Sequence, residues 1–192
     1  MASPTVLIVG GPNGAGKTTL AEPYAEQKDR PYLAADRIAS ELNPEDPYAA
    51  RVEAGRQCLR RLDAFIDART SFVVESTLAG RGLAQAVDRM NGAGYVTRIA
   101  FVFLDSADLC VRRVQERVRK GGHHVPEADV RRRYTRSKTN FWTLYRPKVD
   151  RWILFRNTGQ SFQRVAEGDG DTQSVLRRSG YEKFFHDLSL SP

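Results

Sequence analysis

A loop with the residues needed to bind phosphate follows the first apolar segment of the chain. Residues 11–18 read Gly-Pro-Asn-Gly-Ala-Gly-Lys-Thr, which fits the pattern G-x-x-x-x-G-K-[ST] at every position, and they follow the apolar run Val6–Val9. The glycines let successive backbone N–H groups face phosphate oxygens, and a helix beginning after the loop adds the partial positive charge of its N-terminus. A glycine-rich turn that binds nothing would need neither Lys17 nor Thr18, so the pattern predicts a nucleotide-binding loop.

The side chains at the end of this loop predict the cofactors, ATP and Mg²⁺. We expect Lys17 to reach the β- and γ-phosphates of ATP, which also makes it a predicted catalytic residue. We expect Thr18 to offer its hydroxyl to a Mg²⁺ ion that bridges the same phosphates, so it is the predicted metal ligand. The predicted nucleotide-binding residues are Gly11, Pro12, Asn13, Gly14, Ala15, Gly16, Lys17, Thr18 and Thr19.

Acidic and hydroxyl side chains follow two other predicted strands. Asp36 comes after a short apolar segment, and Glu75, Ser76 and Thr77 come directly after a buried one. The carboxyl ends of parallel strands meet at one edge of a sheet, so these groups should lie near the phosphate loop. Phosphoryl transfer needs a carboxylate that takes the proton of the acceptor, and Asp36 is the predicted base. Capping of the helix that begins at Arg37 is an equally good explanation of Asp36 from the dipeptide alone.

A strongly basic segment lies between Arg112 and Lys138. It holds ten basic and three acidic residues, an excess of seven that equals the +7 net charge of the whole chain. Positive charge beside a phosphate loop is typical of a lid that closes over bound phosphates, and we expect this lid at about 117–138. A solvated helix face would also explain the charge. Nucleic acid binding is a third explanation, but no nucleic-acid-binding motif accompanies the charge.

Helical spacing separates the arginines of this segment into different faces. Arg132 and Arg136 should share one face, whereas Arg131 and Arg133 should point elsewhere. At most two or three of these side chains can contact a ligand.

Apolar runs alternate with amphipathic stretches along the chain. This order predicts an α/β fold with a parallel sheet flanked by helices and carrying an arginine-rich helical lid, as in P-loop NTPases and nucleotide kinases. Residues 167–174 have no apolar content and are expected to form an exposed loop. The expected strands are Thr5–Val9, Pro31–Leu33, Ser71–Val74, Val96–Leu104, Trp152–Phe155 and Phe162–Ala166. The expected helices include Lys17–Gln27, Tyr48–Arg69 with Val52 facing inward, Leu83–Met90, Pro126 to about Tyr145, and Val175–Leu188.

Length and composition are typical of one soluble globular domain. The 192 residues are enough for a single well-buried α/β domain, and we treat 1–192 as that domain. The sequence shows neither a secretory signal nor an apolar stretch long enough to span a bilayer, so we expect a cytoplasmic protein without a membrane partner. Cys58 and Cys110 lie in predicted helices without metal-ligand spacing, and we expect buried thiols.

Taken together, these motifs resemble the zeta-toxin family of small kinases, from about Val6 to Asn157. The matching segments are Gly-Gly-Pro-Asn-Gly-Ala-Gly-Lys-Thr-Thr at 10–19, Ala-Asp-Arg-Ile-Ala at 35–39, Glu-Ser-Thr-Leu-Ala-Gly at 75–80, Gly-Gly-His-His-Val-Pro-Glu at 121–127, Arg-Arg-Tyr at 132–134, and Asp150 to Asn157. The resemblance implies a kinase that uses ATP and Mg²⁺. The best-known members phosphorylate a hydroxyl of UDP-N-acetylglucosamine and are held inactive by an antitoxin protein.

The same resemblance implies roles for individual residues. Asp36 would act as base, Glu75 and Thr77 would hold substrate, and Asn157 would lie at the nucleotide. Arginines of the lid would bind phosphates, and the candidates for this catalytic role are Arg117, Arg132 and Arg133.

The sequence as a whole predicts an ATP-dependent phosphotransferase that acts on a hydroxyl of a small anionic metabolite. The predicted substrate-binding residues are Asp36, Glu75, Ser76 and Thr77. Two alternatives stay open: a kinase of a nucleoside, small sugar or polynucleotide end, and a switch that hydrolyses ATP slowly and signals to a protein partner. The expected partners are the small-molecule acceptor and an antitoxin, with no nucleic acid.

Overall fold

A mixed sheet forms the centre of the molecule. The computed structural model describes residues 3–122, 124–169 and 172–188, and His123 of the zeta-toxin-like segment lies outside them. In the described part the strands are β1 (Thr5–Gly10), β2 (Tyr32–Ala34), β3 (Phe72–Ser76), β4 (Val96–Phe103), β5 (Arg151–Asn157), β6 (Phe162–Asp169) and β7 (Thr172–Val175). Their order in the sheet is β2-β3-β1-β4-β5-β6-β7. The first five pair in parallel, whereas β6 and β7 are antiparallel.

Helices connect the parallel strands and cover the sheet. They are α1 (Lys17–Gln27), α2 (Ala35–Leu42), α3 (Arg51–Asp67), α4 (Gly82–Gly92), α5 (Ala107–Arg119), α6 (Glu127–Asn140) and α7 (Arg178–Phe185). A π-helical turn at Phe141–Tyr145 continues α6, so the single helix expected from Pro126 to Tyr145 changes its pitch at Phe141. No helix of the described residues is long and apolar enough to cross a membrane.

The hydrophobic core follows the alternation of side chains along the strands. Ile8 and Phe101 face one side of the sheet and pack there with Phe184 of α7, while Val9 and Val73 face the other side and pack against α1. Because β1 is buried between β3 and β4, its end is fixed on both sides. The carboxyl ends of all five parallel strands therefore meet at one edge, where the loops carry the polar residues.

The predicted α/β class is confirmed, but the expectation of a loop at 167–174 is wrong. The described residues of that stretch complete β6 and form most of β7. β7 is the edge strand of the sheet and pairs with the end of β6, and its exposed side chains face solvent, so no apolar pattern is required there. Arg151 of β5 pairs with Asp169 across this edge at 2.9 Å. The C-terminal helix accordingly begins at Arg178 rather than Val175.

One residue that was expected to face inward from α3, Val52, lies at the surface. Val52 is 55% exposed, and the buried stripe consists of Ala54, Cys58, Leu62 and Ile66. These residues are four apart and lie on one face of the helix, and two of them, Ala54 and Cys58, are too small to mark this stripe in the sequence. The two cysteines are both buried and free, as expected.

Candidate active site

The phosphate-binding loop joins β1 to α1 through left-handed glycines. Gly14 and Gly16 have φ of 78° and 92°, and a Cβ atom would lie 2.8 Å from the carbonyl oxygen of Cys110 at the first and 2.7 Å from Nδ2 of Asn157 at the second. The loop therefore fits only glycine at these positions. Lys17 begins α1, is 6% exposed, and donates to the Pro12 carbonyl at 3.1 Å.

Glu75 lies against the end of this loop rather than on the far side of the site. Its carboxylate accepts hydrogen bonds from the Thr18 hydroxyl at 2.9 Å and from the Tyr32 hydroxyl at 2.6 Å, and Oε1 lies 3.7 Å from Nζ of Lys17. Burial and the neighbouring carboxylate raise the pKa of Tyr32 far above its usual range, so Tyr32 stays a hydrogen-bond donor. Glu75 is thus held next to the two side chains expected to contact phosphate and Mg²⁺.

Asp36 lies where two cavities meet. A cavity of about 960 Å³ contacts the phosphate loop, and a second one of about 440 Å³ lies between α2, α3 and α6. Lys17, Asp36 and Glu75 line both cavities. Asp36 lies in the first turn of α2, whose N-cap residue is Ala34, so the structure does not use Asp36 as the N-cap. The structure therefore brings together the predicted base and the predicted phosphate-binding lysine at a junction of two open spaces.

Ser76 and Thr77 shape the turn after β3. Their hydroxyls accept from the backbone N–H groups of Leu78 at 3.1 Å and Ala79 at 3.4 Å, and both residues line the smaller cavity. An accepting hydroxyl keeps its own proton available, so each can still donate to a ligand. The Ser137 hydroxyl of α6 donates to the Thr77 carbonyl, which connects α6 to this turn.

The lid arginines do not all point where helical spacing predicted. Arg133 donates to the Asn13 side chain of the phosphate loop at 3.3 Å, and it lines the smaller cavity together with Arg132 and Arg136. The expectation that Arg133 points elsewhere is wrong, because residues 133 and 136 are three apart and share a broad face with 132. Arg131 does point away, since it pairs with Asp108 and Glu127.

Arg117 and Asn157 lie at the larger cavity, the one that contacts the phosphate loop. Both line the larger cavity, as does Arg113, which donates to the Asn157 side chain at 3.5 Å. Asn157 ends β5 and donates through Nδ2 to the Ala15 carbonyl of the phosphate loop at 2.8 Å. Its Oδ1 accepts from the Gly159 N–H at 2.8 Å. Asn157 thereby ties the end of β5 to the loop.

Asp105 follows the carboxyl end of β4, but it is not part of the phosphate-binding site. Arg156 holds its carboxylate by two hydrogen bonds, of which the one from Nε is 2.6 Å long. These bonds lower the pKa of Asp105 below its usual range. Its neighbour Ser106 caps α5 by accepting from the Leu109 N–H at 3.2 Å. The N-cap residue of α5 is therefore Ser106 and not Asp105.

Four residues of the site were not found from the sequence. Tyr32 sits inside a short strand and reaches Glu75, and Arg113 is one of several arginines on α5. Tyr48, in the turn before α3, and Arg51, the first residue of α3, line the smaller cavity. None of them belongs to a motif. An aromatic or basic side chain outside a motif does not by itself distinguish a cavity residue from a core or surface residue.

A family model for the AAA domain matches residues 6–137, which is more than half of the chain. The chain belongs to this AAA domain family. The matched range begins in β1 and ends within α6, so it includes the phosphate loop, Asp36, Glu75 and the arginines of the lid.

One relative and several solved structures are similar to this chain. An uncharacterised protein of Haemophilus influenzae is 29% identical to this AAA domain over 124 residues, which are 65% of this chain and 88% of the relative. A chain of the AvrRxo1-ORF1:AvrRxo1-ORF2 complex with sulphate ions superposes with a TM-score of 0.80 at 17% identity, covering 100% of this chain and 66% of that one. The same complex with ATP gives 0.79 at 16% identity, with coverages of 100% and 66%.

A chain of the PezAT toxin–antitoxin system of Streptococcus pneumoniae superposes with a TM-score of 0.70 at 14% identity, covering 98% of this chain and 80% of that one. At these identities the likeness shows the fold alone. This AAA domain has a P-loop kinase-like fold, and it spans about two thirds of the AvrRxo1 complex chains that it matches.

Proposed function

We propose that this AAA domain is an ATP-dependent phosphotransferase whose acceptor is a hydroxyl of a small anionic metabolite. The observation that carries the proposal is the shared lining of the two cavities by Lys17, Asp36 and Glu75. An enzyme that only hydrolyses ATP needs space for water, whereas this site offers a second cavity of about 440 Å³, a size typical of small-molecule sites.

ATP occupies the larger cavity in this proposal, with its phosphates on the N–H groups of the loop and on Lys17. Arg117 and Asn157 line that cavity, and Arg133 contacts the loop at Asn13. Positive charge from Lys17, Arg117 and Arg133 stabilises the charge that develops on the transferring phosphoryl group. Support for ATP as the donor comes from the left-handed glycines of the loop and from the ATP in the structurally similar AvrRxo1 complex.

Mg²⁺ fits the oxygen donors at the start of α1. The Thr18 hydroxyl and the Glu75 carboxylate lie 2.9 Å apart, and hard oxygen ligands are those that Mg²⁺ prefers. We propose that Thr18 and Glu75 hold the ion, directly or through water. When bound there, Mg²⁺ supplies positive charge to the phosphate oxygens.

Asp36 takes the proton of the acceptor in the proposed reaction. The acceptor lies in the smaller cavity with its hydroxyl at Asp36, oriented by Ser76 and Thr77, which line the same space. As the acceptor oxygen forms a bond to the γ-phosphorus, the bond from that phosphorus to ADP breaks and the proton moves to the Asp36 carboxylate. The products are the phosphorylated acceptor and ADP.

The zeta-toxin resemblance gives the first candidates for the acceptor and the partner. We propose UDP-N-acetylglucosamine as the first acceptor to test and an antitoxin protein as the first partner, in the cytoplasm. The structural likeness to a toxin–antitoxin chain supports this choice of candidates.

A single labelling experiment tests the proposal. The full chain is incubated with γ-labelled ATP and Mg²⁺, alone and with nucleotide sugars, nucleosides, small sugars and their phosphates. We expect label on an organic product, and loss of that product in Asp36→Asn. Label that ends only in inorganic phosphate for every acceptor would instead favour the ATP-hydrolysing switch. A polynucleotide acceptor would be recognised by binding that weakens steeply with salt.

A further inference from the structure

The smaller cavity has a basic rim above an apolar floor. Five basic and two acidic side chains line it, together with Ala39, Cys58, Leu59, Leu62 and Leu83. Cys58 and Leu62 are 8% and 0% exposed, so this floor is deep. The acidic residues, Asp36 and Glu75, lie at the junction with the larger cavity. The charged side chains on the remaining rim are therefore arginines, and the rim is positive.

The arginines of the rim differ in their partners. Asp129 pairs with Arg132 at 2.7 Å and with Arg133 at 3.5 Å. Arg51 and Arg136, which line the cavity from α3 and α6, form no ion pair with any carboxylate among the described residues. Arg51 is close enough to Asp129 to help lower the pKa of that carboxylate, but among the described residues neither guanidinium is held directly by an acidic side chain.

Arg51 is held in place although no carboxylate holds it. Its guanidinium stacks on the ring of Tyr48, with Cζ 4.1 Å from the ring centroid, and Nη1 donates to the Tyr48 carbonyl at 2.8 Å. The remaining N–H donors of its fork are available to a ligand. Fixing an arginine before the ligand arrives reduces the entropy lost on binding.

Tyr48 is in turn attached to the lid. Its hydroxyl donates to Asp129 of α6, and this bond raises the pKa of Tyr48 and lowers that of Asp129. The same Asp129 carboxylate pairs with Arg133, which contacts Asn13 of the phosphate loop. A chain of direct contacts thus runs from Arg51 across the mouth of the cavity to the nucleotide loop.

We infer that Arg51 binds an anionic group of the acceptor and that Tyr48 and Asp129 are positioning residues for it. The inference rests on the proposed function and names the class of acceptor: an alcohol that carries a phosphate or carboxylate, separated from the reacting hydroxyl by an apolar body that contacts the floor at Cys58 and Leu62. The hydroxyl lies at Asp36 and the anion at the rim between Arg51 and Arg136.

Cys58 provides a test that needs no knowledge of the acceptor. Its thiol lines the floor of the cavity, and burial raises its pKa to about 11. The full chain is treated with two thiol reagents of similar size, the anionic 2-sulfonatoethyl methanethiosulfonate and the cationic 2-(trimethylammonium)ethyl methanethiosulfonate. Rates at Cys58 are followed by mass spectrometry, with Cys58→Ala as the blank, and are normalised to those of a free thiol. Both reagents react with the thiolate form of Cys58, so the ratio of the two rates does not depend on the fraction of the thiol that is deprotonated.

We expect Cys58 to react faster with the anionic reagent than with the cationic one. The ratio of the anionic to the cationic rate should fall roughly three- to tenfold in Arg51→Gln. Arg56→Gln is the matched control, because it removes the same charge from the same helix where the side chain is 68% exposed and paired with Glu53 at 3.8 Å. Arg51→Lys should keep most of the preference. Tyr48→Phe keeps the ring under Arg51 but removes the bond to Asp129, so it should lose part of the preference.

Three results would overturn the inference: a preference for the cationic reagent, an equal loss in Arg51→Gln and Arg56→Gln, or modification of Cys58 no faster than that of the buried Cys110. These results would leave phosphoryl transfer intact. Failure of transfer in the labelling experiment would instead overturn the proposed function while the charge preference persisted. Once an acceptor is in hand, Arg51→Gln should raise its KM about tenfold or more with a smaller change in kcat.

Discussion

The hydroxyl of Thr18 donates to the carboxylate of Glu75 across 2.9 Å, which joins the first turn of α1 to the end of β3. From the sequence, Glu75 was predicted to bind the acceptor, because it follows a strand and lies beside Thr77. The contact instead places this carboxylate beside Lys17 and Thr18, at the side of the site where phosphate and metal are expected. Two oxygen atoms that could serve as metal ligands, from two separate segments of the chain, are thereby held side by side.

Thr18→Val should weaken the use of Mg²⁺, because valine keeps the shape of threonine but lacks the hydroxyl. We expect the Mg²⁺ concentration for half-maximal transfer to rise roughly tenfold or more. The measurement is a Mg²⁺ titration at saturating ATP. Thr18→Ser keeps the hydroxyl and should remain within about twofold of the wild type. A valine variant with an unchanged requirement for Mg²⁺ would remove Thr18 from the metal site.

Asp36→Asn should stop transfer without preventing ATP from binding. Asparagine has the size of aspartate but cannot accept the proton, and loss of a general base costs about a hundredfold or more in kcat. Asp36 also lines the larger cavity, yet the proposed phosphate contacts come from Lys17 and the loop, so the Kd for ATP should change less than about threefold. Transfer kinetics and equilibrium binding of ATP check the two parts separately.

Glu41→Gln is the control for this change, because Glu41 lies on the same helix and pairs with Arg37 and Arg61 on its exposed side. It should leave both quantities unchanged. Normal turnover in Asp36→Asn would show that another group takes the proton.

Lys17→Met should weaken nucleotide binding and transfer together. Methionine preserves much of the packing of a side chain that is 6% exposed, but it removes the charge expected at the γ-phosphate. Loss of such a preorganised charge costs about a hundredfold or more in kcat. Lys28→Met, at the exposed C-terminal end of α1, removes the same charge away from the site and should have little effect. If Lys17→Met binds and transfers as the wild type does, the loop has another role.

The central fold and the phosphate loop could be predicted because their signals are local. The spacing of Gly11, Gly14, Gly16 and Lys17 determines the loop by itself, and apolar runs identify the buried strands. The contacts of Glu75 and Arg133 could not be predicted, since they depend on how β3 and α6 lie against α1 in three dimensions. Edge strands such as β7 lack an apolar pattern because solvent covers them, which is why residues 167–174 gave no strand signal.

The residues on the acceptor side of the site were the hardest to predict from the sequence. Arg51 and Tyr48 belong to no motif, and their place at the cavity depends on the packing of α3 against α2 and on the bond between Tyr48 and Asp129. In the sequence, Asp129 is one of few acidic residues in a basic segment, and nothing there indicates its contacts. Its pairing with Arg132 and Arg133 shows that part of the lid charge is compensated within the protein.

Asp105→Asn should make stability less dependent on acid pH. Hydrogen bonds from Arg156 lower the pKa of Asp105 in the folded protein, so this pair stabilises the fold above the unfolded-state pKa of the carboxyl. The contribution is lost as the pH falls through the lower folded-state pKa. Because Asp105 is 35% exposed, solvent screening limits the difference at pH 7 to roughly 1 kcal/mol in the free energy of unfolding.

Urea denaturation at several pH values between neutral and strongly acidic checks this expectation. The variant should be less stable than the wild type at pH 7, and the two curves should converge as the Asp105 carboxyl becomes protonated. Asp169→Asn is the matched control, because Asp169 pairs with Arg151 where both side chains are about 60% exposed, and such a pair contributes little. A difference between wild type and Asp105→Asn that stays constant down to low pH would mean that shape rather than charge makes Asp105 stabilising.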